Sequence, residues 1–418
     1  MQAFTFKGDS LYCEDVKCTD IAEKYGTPVY VYSHGSFTRS FSELQKSFSS
    51  VPNLVCYSVK TCSNLSILKM IHDIGGGFDI VSIGELRRVF AATGDVSKCV
   101  FAGVGKREYE LTEALEKGIY SFTVESEQEL EMLNKCAKKL DKKASFALRI
   151  NPDVDPKTHK YISTGKKENK FGIDMKLAFE LYKKSCDMEF LLAEGIHMHI
   201  GSQITTIDPY VEAVKKMSKL ISDLKNANVP IEYFDIGGGF GIIYNDEKPI
   251  GSDDIIKELI PLLKDTGLKI LLEPGRSIAG NSGILLTKVV YIKNNSVKNF
   301  AIVDAGMNDL LRPSLYEAYH KILSITGGAG QKGSENYDVV GPICESGDYL
   351  ALDRSLPVLQ QGDILSVMSA GAYGFSMSSN YNSRTRVPEV MIKGNQTYLI
   401  REKENFDDLI KGEKIVKF

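Results

Sequence analysis

The chain of 418 residues contains 43% hydrophobic and 25% charged residues, a mixture typical of globular proteins and not of disordered or fibrous ones. Its 51 basic and 54 acidic residues give a formal net charge of -3, which does not favour nucleic acid or an anionic membrane as the main partner. The apolar runs are far shorter than the roughly 20 residues that cross a bilayer, and the first residues do not resemble a secretory signal. We therefore expect a cytoplasmic protein with no membrane span.

Eight short apolar or β-branched runs are each followed by a longer stretch with helical periodicity, which predicts repeated strand-then-helix units. These runs cover residues 53–59, 77–81, 98–102, 120–124, 145–150, 195–200, 233–236 and 269–272. Eight such units in about 250 residues are typical of a (β/α)8 barrel. A doubly wound open sheet would give the same alternation and stays open as an alternative.

After about Asn281 the pattern changes to strands without intervening helices, at residues 285–292, 299–303, 339–344, 364–368 and 389–392. This pattern predicts a separate β domain. The strand-like residues 4–6 and 11–12 are expected to join it. The predicted division is a barrel over residues 26–282 and a β domain formed by residues 1–25 and 283–418.

Unusual residues fall at the ends of the predicted barrel strands, where barrel enzymes carry their chemistry. Lys60 follows the first run, Asp79 lies in the second and His199 closes the sixth. A lysine at a strand end is often only a surface residue whose stem lies on apolar surface. At a barrel mouth it is also a candidate nucleophile.

The pair His197 and His199 lies on one side of a strand, since successive side chains alternate. In metal-dependent hydrolases an H-x-H pair binds zinc, but no other histidine lies at a predicted strand end. We therefore predict no metal. An unpaired imidazole can be a satisfied core residue or can stack on a planar ligand.

Two further strand ends favour an anionic, planar ligand. Gly237, Gly238 and Gly239 follow the seventh run, and glycines there either form a bare turn or let backbone N–H groups approach a phosphate. Glu273 and Arg276 follow the eighth run, either as a structural ion pair or as part of a site. A lysine, an imidazole, a phosphate cradle and a carboxylate together fit pyridoxal 5'-phosphate.

The G-x-G-x-x-G match at residues 328–333 has no following helix pattern and is predicted to be a loop.

The eight cysteines form no C-x-x-C pair, so we expect mostly free thiols. Cys344 by itself would be an ordinary buried thiol, the commoner state for this residue.

In their order along the chain, the motifs resemble those of the fold type III, pyridoxal-phosphate-dependent decarboxylases of basic amino acids. They are Tyr57-x-x-Lys60, His197-x-His199-Ile200-Gly201-Ser202, Gly237-Gly238-Gly239, Glu273-Pro274-Gly275-Arg276, Cys344-Glu345-Ser346-Gly347-Asp348 and Gly371-Ala372-Tyr373. Residues 159–165 with 170–173, and 311–316, resemble the branch that acts on meso-2,6-diaminopimelate. The resemblance covers nearly the whole chain. It departs at Ser58 and Thr61, where the family more often has alanine, but the lysine is retained.

This resemblance implies an alanine racemase-like α/β fold, with a (β/α)8 TIM-like barrel and a C-terminal β-sandwich or β-barrel domain. It implies decarboxylation of meso-2,6-diaminopimelate to L-lysine and CO2, the last step of lysine biosynthesis. Lys60 would hold the cofactor covalently, His199 would stack on its ring and Glu273 would face the ring nitrogen. The remaining cofactor-binding residues implied are Asp79, Ser202, Gly237, Gly238, Gly239, Pro274, Gly275, Arg276 and Tyr373.

The same resemblance assigns the distal carboxylate of the substrate to Arg276, Arg312 and Tyr316. It assigns the distal ammonium to Glu345, with Tyr373 also at the substrate. Cys344 would protonate the substrate at Cα from the neighbouring subunit, so the implied assembly is a homodimer with shared active sites.

Three alternatives remain open at this point. The chain could decarboxylate a related substrate, namely carboxynorspermidine, arginine or ornithine. It could be a non-catalytic homologue that only binds or carries pyridoxal phosphate, although such proteins usually lack the lysine, the cysteine or the second domain. A metal-dependent hydrolase would require bound zinc.

Overall fold

The computed structural model describes residues 3–155, 170–327 and 333–418. These residues divide into two compact units. We call Met1–Phe37, Ile243–Asp246 and Ala279–Phe418 the β unit, and Thr38–Ile242 with Glu247–Ile278 the barrel unit.

The β unit begins with a small antiparallel sheet of three strands. The N-terminal elements are β1 (Phe4–Lys7), β2 (Ser10–Cys13), β3 (Val16–Lys17), α1 (Cys18–Tyr25), β4 (Val29–Ser33) and α2 (His34–Ser47). These first strands lie in the β unit, which they were expected to join, and form a sheet of their own there. Phe4 and Leu11 nevertheless pack with Val31 and Ile284 in the buried core of this unit.

The barrel unit contains eight parallel strands that close on themselves in the order β10-β11-β12-β5-β6-β7-β8-β9. The strands are β5 (Asn53–Ser58), β6 (Gly77–Ile80), β7 (Cys99–Phe101), β8 (Ser121–Val124), β9 (Ala144–Ile150), β10 (Leu191–Met198), β11 (Tyr233–Asp235) and β12 (Lys269–Leu272). Each corresponds to one of the eight predicted runs. The predicted barrel is therefore confirmed, and the open-sheet alternative is wrong because β12 pairs with β5.

Helices follow the barrel strands in sequence. They are α3 (Leu65–Asp73), α4 (Ile83–Thr93), α5 (Glu108–Lys117), α6 (Glu127–Lys139), α7 (Met175–Ser185), α8 (Asp208–Asn226), α9 (Ser252–Asp254), a π-helical turn (Ile255–Leu259), α10 (Ile260–Thr266) and α11 (Arg276–Ala279). Ser82 and Ser126 cap α4 and α6 by accepting from the N–H groups of Glu85 and Glu129. Their apolar faces pack on the barrel, as expected for amphipathic helices.

The barrel interior is filled by side chains from alternate strand positions. Leu54 and Cys56 of β5, Val100 of β7 and Tyr233 of β11 belong to one buried cluster. Gly195 of β10 leaves room for the Tyr233 ring, because a Cβ at that position would lie 2.1 Å from the ring carbon Cζ. The interior is thus a packed core, and chemistry is restricted to its rim.

The β unit is completed by a mixed sheet in the order β17-β16-β14-β13-β4-β19-β20, with β18 paired to β13 and β15. Its elements are β13 (Gly283–Asn295), β14 (Lys298–Val303), α12 (Arg312–Tyr316), β15 (Ile322–Ser324), β16 (Glu335–Val340), β17 (Tyr349–Leu356), β18 (Ile364–Val367), β19 (Glu389–Lys393), β20 (Gln396–Arg401) and α13 (Phe406–Leu409). The strand predicted at 339–344 ends at Val340, since Pro342 cannot donate a ladder hydrogen bond.

The limits of the two units differ from the predicted division at residues 25/26 and 282/283. The strand β4 pairs antiparallel with β13 and parallel with β19, so it belongs to the β unit although it lies within residues 26–282. These pairings join residues more than 250 positions apart. Local sequence patterns do not reveal such pairing, which is why the boundary was placed before β4.

No helix in the three described ranges is both long and apolar enough to span a membrane.

Candidate active site

The carboxyl ends of five barrel strands bring polar side chains into one buried layer. Parallel register places Ser58 beside Asp79, and Arg149 beside His197 beside Asp235. Because successive side chains alternate, residues two positions nearer the amino end of these strands, such as Cys56 and Tyr233, lie in the apolar interior. The polar layer therefore lies on top of a hydrophobic core, where unpaired charges are costly.

Lys60 lies just beyond β5 in a short 3-10 turn, Val59–Thr61. Its Nζ lies 2.6 Å from Oδ2 of Asp79, and the hydroxyl of Ser58 donates to the same oxygen at 2.8 Å. The lysine side chain is 38% exposed, whereas that of Asp79 is fully buried. The amine is thus held at the edge of the buried layer, accessible to solvent and oriented by an internal carboxylate.

The carboxyl group of Asp79 has a raised pKa. Burial is the main cause, and the nearby charge of Glu273 adds to it. The charge and the hydrogen bond of Lys60 oppose this rise. Lys60 therefore favours the ionised form of Asp79, against the effect of burial.

His199 is the first residue after β10, and its Nδ1 accepts a hydrogen bond from the backbone N–H of Gly238 at 3.2 Å. An accepting Nδ1 carries no proton, so the neutral ring has its proton on Nε2. Burial and the charge of Arg149 hold the pKa of His199 well below its ordinary value. The imidazole is therefore neutral, as required of a ring that stacks on a planar ligand without adding charge.

The three glycines after β11 are packed closely against the neighbouring strand ends. Gly237 and Gly239 have φ values of +71° and +104°, a region that other residues rarely adopt. A Cβ on Gly238 would lie 2.0 Å from the carbonyl oxygen of Glu273. The backbone of this loop, held by Asp235 accepting from the N–H of Gly237 at 2.8 Å, cannot tolerate side chains.

Arg276 begins α11, directly after Glu273, Pro274 and Gly275. Its guanidinium donates to the hydroxyl of Ser202 from both Nε, at 3.3 Å, and Nη2, at 3.1 Å. The structure thus brings together two predicted site residues that are 74 positions apart in sequence.

Glu273 and His197 form a deeply buried contact of the layer. Nε2 of His197 lies 3.1 Å from Oε2 of Glu273, and the side chains are 1% and 5% exposed. Burial raises the pKa of the Glu273 carboxyl group, but the charge and hydrogen bond of His197, together with the charge of Lys60, act against it, and the pKa is lowered to about 2. Sequence reasoning missed His197 as a partner, although its two-residue spacing from His199 already placed both on one strand face.

Donor atoms of His197, Asp235 and Glu273 all lie within 4.8 Å of one another. The set has the donor types of a divalent cation site. In the structure Oδ1 of Asp235 accepts from Gly237 and Oε2 of Glu273 contacts His197, so these atoms already have protein partners.

A second pair in the barrel rim was also missed from sequence. Arg149 donates to Oε1 of Glu125 at 3.0 Å, and Oε2 of Glu125 accepts from the N–H of Gly172, also at 3.0 Å. The Arg149 guanidinium stacks on the ring of Phe171 with its carbon 4.6 Å from the ring centroid. These contacts anchor residues 171 and 172 to the barrel rim.

Within the β unit, Arg312 is buried at the start of α12. Its Nη1 lies 2.8 Å from Nε2 of His320, and its guanidinium lies over the ring of Tyr244 at 4.6 Å. Nδ1 of His320 contacts the carbonyl oxygen of Met368 at 2.9 Å and must donate to it. Nε2 is therefore free of a proton in the neutral ring and accepts from Arg312, so two residues missed from sequence orient this arginine.

Cys344 and Glu345 are exposed on a short loop after β16. The loop is held by Asp348, whose Oδ2 accepts from the N–H of Ile343 at 2.7 Å, and by Asn382, whose Oδ1 accepts from the N–H of Cys344 at 2.7 Å. Asn382 has a φ of +54°, uncommon for a residue other than glycine. Its anchoring role could not be inferred from sequence, since it depends on this contact 38 positions away.

The remaining predicted residues are placed as follows. Tyr316 ends α12 and is half-buried, and Tyr373 is half-buried with a φ of +57°. All eight cysteines are free thiols, and only Cys186 and Cys344 are exposed. The segment at 159–165 lies outside the described residues, as do residues 328–332 of the G-x-G-x-x-G match.

Residues 34–280 match the family model described as pyridoxal-dependent decarboxylase, pyridoxal binding domain. The diaminopimelate decarboxylase of Vibrio cholerae is 48% identical over 418 residues, which cover 100% of both chains.

Two solved structures are similar over nearly their whole length. Diaminopimelate decarboxylase from Helicobacter pylori, complexed with L-lysine, is 41% identical with a TM-score of 0.90, covering 94% of this chain and 98% of that chain. The enzyme from M. jannaschii, in co-complex with L-lysine, is 36% identical with a TM-score of 0.94, covering 99% and 98%.

Proposed function

The chain belongs to the pyridoxal-dependent diaminopimelate decarboxylases, and we propose that it converts meso-2,6-diaminopimelate to L-lysine and CO2, the last step of lysine biosynthesis. The observation that carries this proposal is the group at the barrel rim: an accessible lysine paired with a buried aspartate, beside a neutral imidazole and a buried, ionised glutamate. Two relatives of the same fold hold L-lysine, the product of this reaction.

The residues of the barrel rim fit pyridoxal 5'-phosphate. Oε1 of Glu273 is buried and has no hydrogen-bond partner among the described residues, so a further donor at this point would satisfy it. A protonated pyridine nitrogen is such a donor. The glycine loop 237–239, where a Cβ would collide with backbone, fits close approach of an anionic phosphate.

When bound, pyridoxal phosphate withdraws the electron pair of the breaking bond between Cα and the carboxylate. We propose that Lys60 binds the cofactor covalently through Nζ and that His199 stacks on its ring. Asp79, Ser202, Gly237, Gly238, Gly239, Pro274, Gly275, Arg276 and Tyr373 are the proposed remaining cofactor contacts. Glu273, whose pKa is about 2, stays anionic at neutral pH and favours a protonated ring nitrogen.

We propose that Arg276, Arg312 and Tyr316 bind the distal carboxylate of the substrate, that Glu345 binds its distal ammonium and that Tyr373 contributes to the same substrate site. A guanidinium suits a carboxylate because it can donate two parallel hydrogen bonds. Arg312 is supported in this role by its fixed orientation against His320 and Tyr244. A substrate without a distal carboxylate would offer these guanidinium groups no opposite charge, which opposes arginine and ornithine.

The thiol of Cys344 is the proposed source of the proton that replaces the lost carboxylate at Cα. We propose that it acts from the neighbouring subunit of a homodimer, so that each active site uses residues of both chains. The exposed position of Cys344 and Glu345 on their loop supports this proposal. We also propose a cytoplasmic location, and no nucleic-acid or membrane partner, since a net charge of -3 gives no strong field that would attract either.

As a test, the purified protein is supplied with pyridoxal phosphate and offered meso-diaminopimelate, the LL isomer, carboxynorspermidine, arginine and ornithine separately. We expect CO2 and L-lysine from the meso compound only, with kcat/KM for the other substrates at least about 100-fold lower. Release from arginine or ornithine would contradict the roles given to Arg276 and Arg312. Release from carboxynorspermidine at a comparable rate would change the substrate but not the chemistry.

Lys60→Ala serves as the matched inactive variant in this assay. It should lose the absorbance band of the covalently bound cofactor and lower kcat by at least about a thousandfold, because the amine is the attachment point. Lys98→Ala, which removes an exposed lysine near the amino end of β7, should behave as the wild type. A normal absorbance band in Lys60→Ala would show that another amine holds the cofactor.

A further inference from the structure

Three carboxyl groups are buried together at the rim of the barrel: Asp79, Asp235 and Glu273 are 0%, 1% and 5% exposed. Neighbouring negative charges in a poorly solvated site oppose one another's ionisation. How readily each group ionises therefore depends on the partners that it contacts. Asp79 contacts Lys60 and Ser58, Asp235 accepts from the backbone N–H of Gly237, and Glu273 contacts His197.

The pKa values differ in direction among these three groups. Burial and the charge of Glu273 raise the pKa of Asp79 and hold that of Asp235 well above its ordinary value. Only the pKa of Glu273 is lowered, and His197 makes the largest contribution to that lowering. The charge of Lys60 lowers the pKa of all three groups, so it cannot by itself account for the difference.

The hydrogen bond also fixes the orientation of the Glu273 carboxyl group. His197 engages Oε2, while Oε1 is buried without a hydrogen-bond partner in the described part of the chain. The second ring nitrogen of His197, Nδ1, is likewise buried and unpartnered there. The ring therefore makes one polar contact, and that contact is directed to the oxygen not needed by the cofactor.

We propose that His197 is a positioning residue, which keeps Glu273 anionic within this carboxyl cluster and leaves its Oε1 for the ring nitrogen of the bound cofactor. The contact of Oε1 with the ring nitrogen rests on the proposed function. The effect of His197 on the charge of Glu273 does not, because it concerns only the chain's own residues. It assigns to the first histidine of the H-x-H pair a role distinct from the stacking role of His199.

The cofactor-free protein tests whether His197 keeps Glu273 anionic. His197→Phe removes the hydrogen-bond donor while keeping a planar ring, and His197→Asn keeps a donor. In infrared difference spectra at pH 7, His197→Phe minus wild type should show an added band of a protonated carboxyl group. The band should disappear when Glu273→Gln is combined with His197→Phe, and it should be weaker in His197→Asn. If His197→Phe shows no added band, the proposal is wrong.

The protein loaded with pyridoxal phosphate, labelled with ¹⁵N in the ring, tests the contact of Oε1 with the ring nitrogen. The nitrogen signal should lie at the protonated position in wild type and move to the unprotonated position in His197→Phe, with partial recovery in His197→Asn. We expect kcat for meso-diaminopimelate to fall about 10- to 100-fold with KM changed less than about threefold. An unchanged nitrogen signal in His197→Phe would overturn the proposal.

His72→Phe is the matched control, since that ring lies at the end of α3 and contacts Asp73 and Asp95. It should leave all three readouts unchanged. Failure of the proposed function would be recognised separately, because the infrared experiment uses neither cofactor nor substrate. A protein inactive on meso-diaminopimelate that still gained the Glu273 band in His197→Phe would retain this inference.

Discussion

Cys344, the proposed proton donor, is one of two exposed thiols, and Cys186 is the other. The other six cysteines are buried. Burial raises the pKa of several of them, notably to about 12 for Cys18, which keeps these thiols protonated and unreactive. Comparing variants of the two exposed cysteines therefore tests the proposed proton donor directly.

Cys344→Ala should bind pyridoxal phosphate and meso-diaminopimelate normally but lower kcat at least about 100-fold, because it removes the proposed proton source and not a binding group. Steady-state kinetics and a cofactor titration measure the two properties separately. Cys186→Ala, the control, should have wild-type kcat. Full turnover in Cys344→Ala would remove the thiol from the mechanism.

The carboxyl group of Glu85 should make the free energy of unfolding depend on pH. Burial raises its pKa from 4.5 to about 7, opposed by the Val81 N–H that donates to Oε2 at 2.7 Å. Between these values the folded protein binds more protons at Glu85 than the unfolded chain does. The contribution of this group to the free energy of unfolding therefore falls as pH rises from about 4.5 to 7, by about 3 kcal/mol in full.

Glu85→Gln keeps an acceptor for Val81 but cannot ionise. Its free energy of unfolding should exceed that of wild type near pH 7 and approach it near pH 4.5, as measured by urea unfolding at both values. A constant difference between the two proteins across this range would show that Glu85 does not titrate as expected.

Among the elements, β10 and β11 show how closely the barrel strands are packed. The Tyr233 ring occupies the space over Gly195, and its hydroxyl donates to the hydroxyl of Ser121 on β8. The ring thus links three strands directly below the polar layer. A side chain at Gly195 would displace this ring and disturb the strand that carries His197.

Gly195→Ala should therefore lower the free energy of unfolding by about 1–3 kcal/mol, the usual cost of overpacking a filled core. Gly84→Ala is a matched substitution in α4, where the nearest atom to the new Cβ lies 3.7 Å away. It should raise the free energy of unfolding by about 0.5–1 kcal/mol, since alanine favours a helix over glycine. Urea unfolding of the two variants measures both; equal effects would contradict the packing argument.

For the whole molecule, the proposed homodimer with shared sites makes a quantitative prediction. Lys60→Ala and Cys344→Ala are each expected to be inactive, but a mixed dimer would have one site with both native residues. Random reassortment gives half mixed dimers with one of two sites intact, so about a quarter of wild-type activity should return. Co-refolding of the two variants, followed by the decarboxylation assay, measures this recovery.

The control mixes Lys60→Ala with Glu273→Gln. Both residues lie in the barrel unit, so every site in such a dimer contains at least one altered residue and no activity should return. Absence of recovery in the first mixture as well would mean that Lys60 and Cys344 act within one chain.

Sequence patterns alone determined the eight barrel strands and the positions of Lys60, Asp79, His199 and the glycine loop at strand ends. These features were predictable because strand periodicity and strand ends are local properties of the chain. The resemblance of ordered motifs added the family, the cofactor and the substrate.

Only the tertiary structure decided which partners set the charges of these groups. The contacts of His197 with Glu273, of His320 with Arg312 and of Asn382 with Cys344 join residues on separate elements. The same holds for β4, whose place in the β unit depends on pairing with β13 and β19. Hydrogen bonding and desolvation depend on distance in space, so neither could be inferred from local sequence.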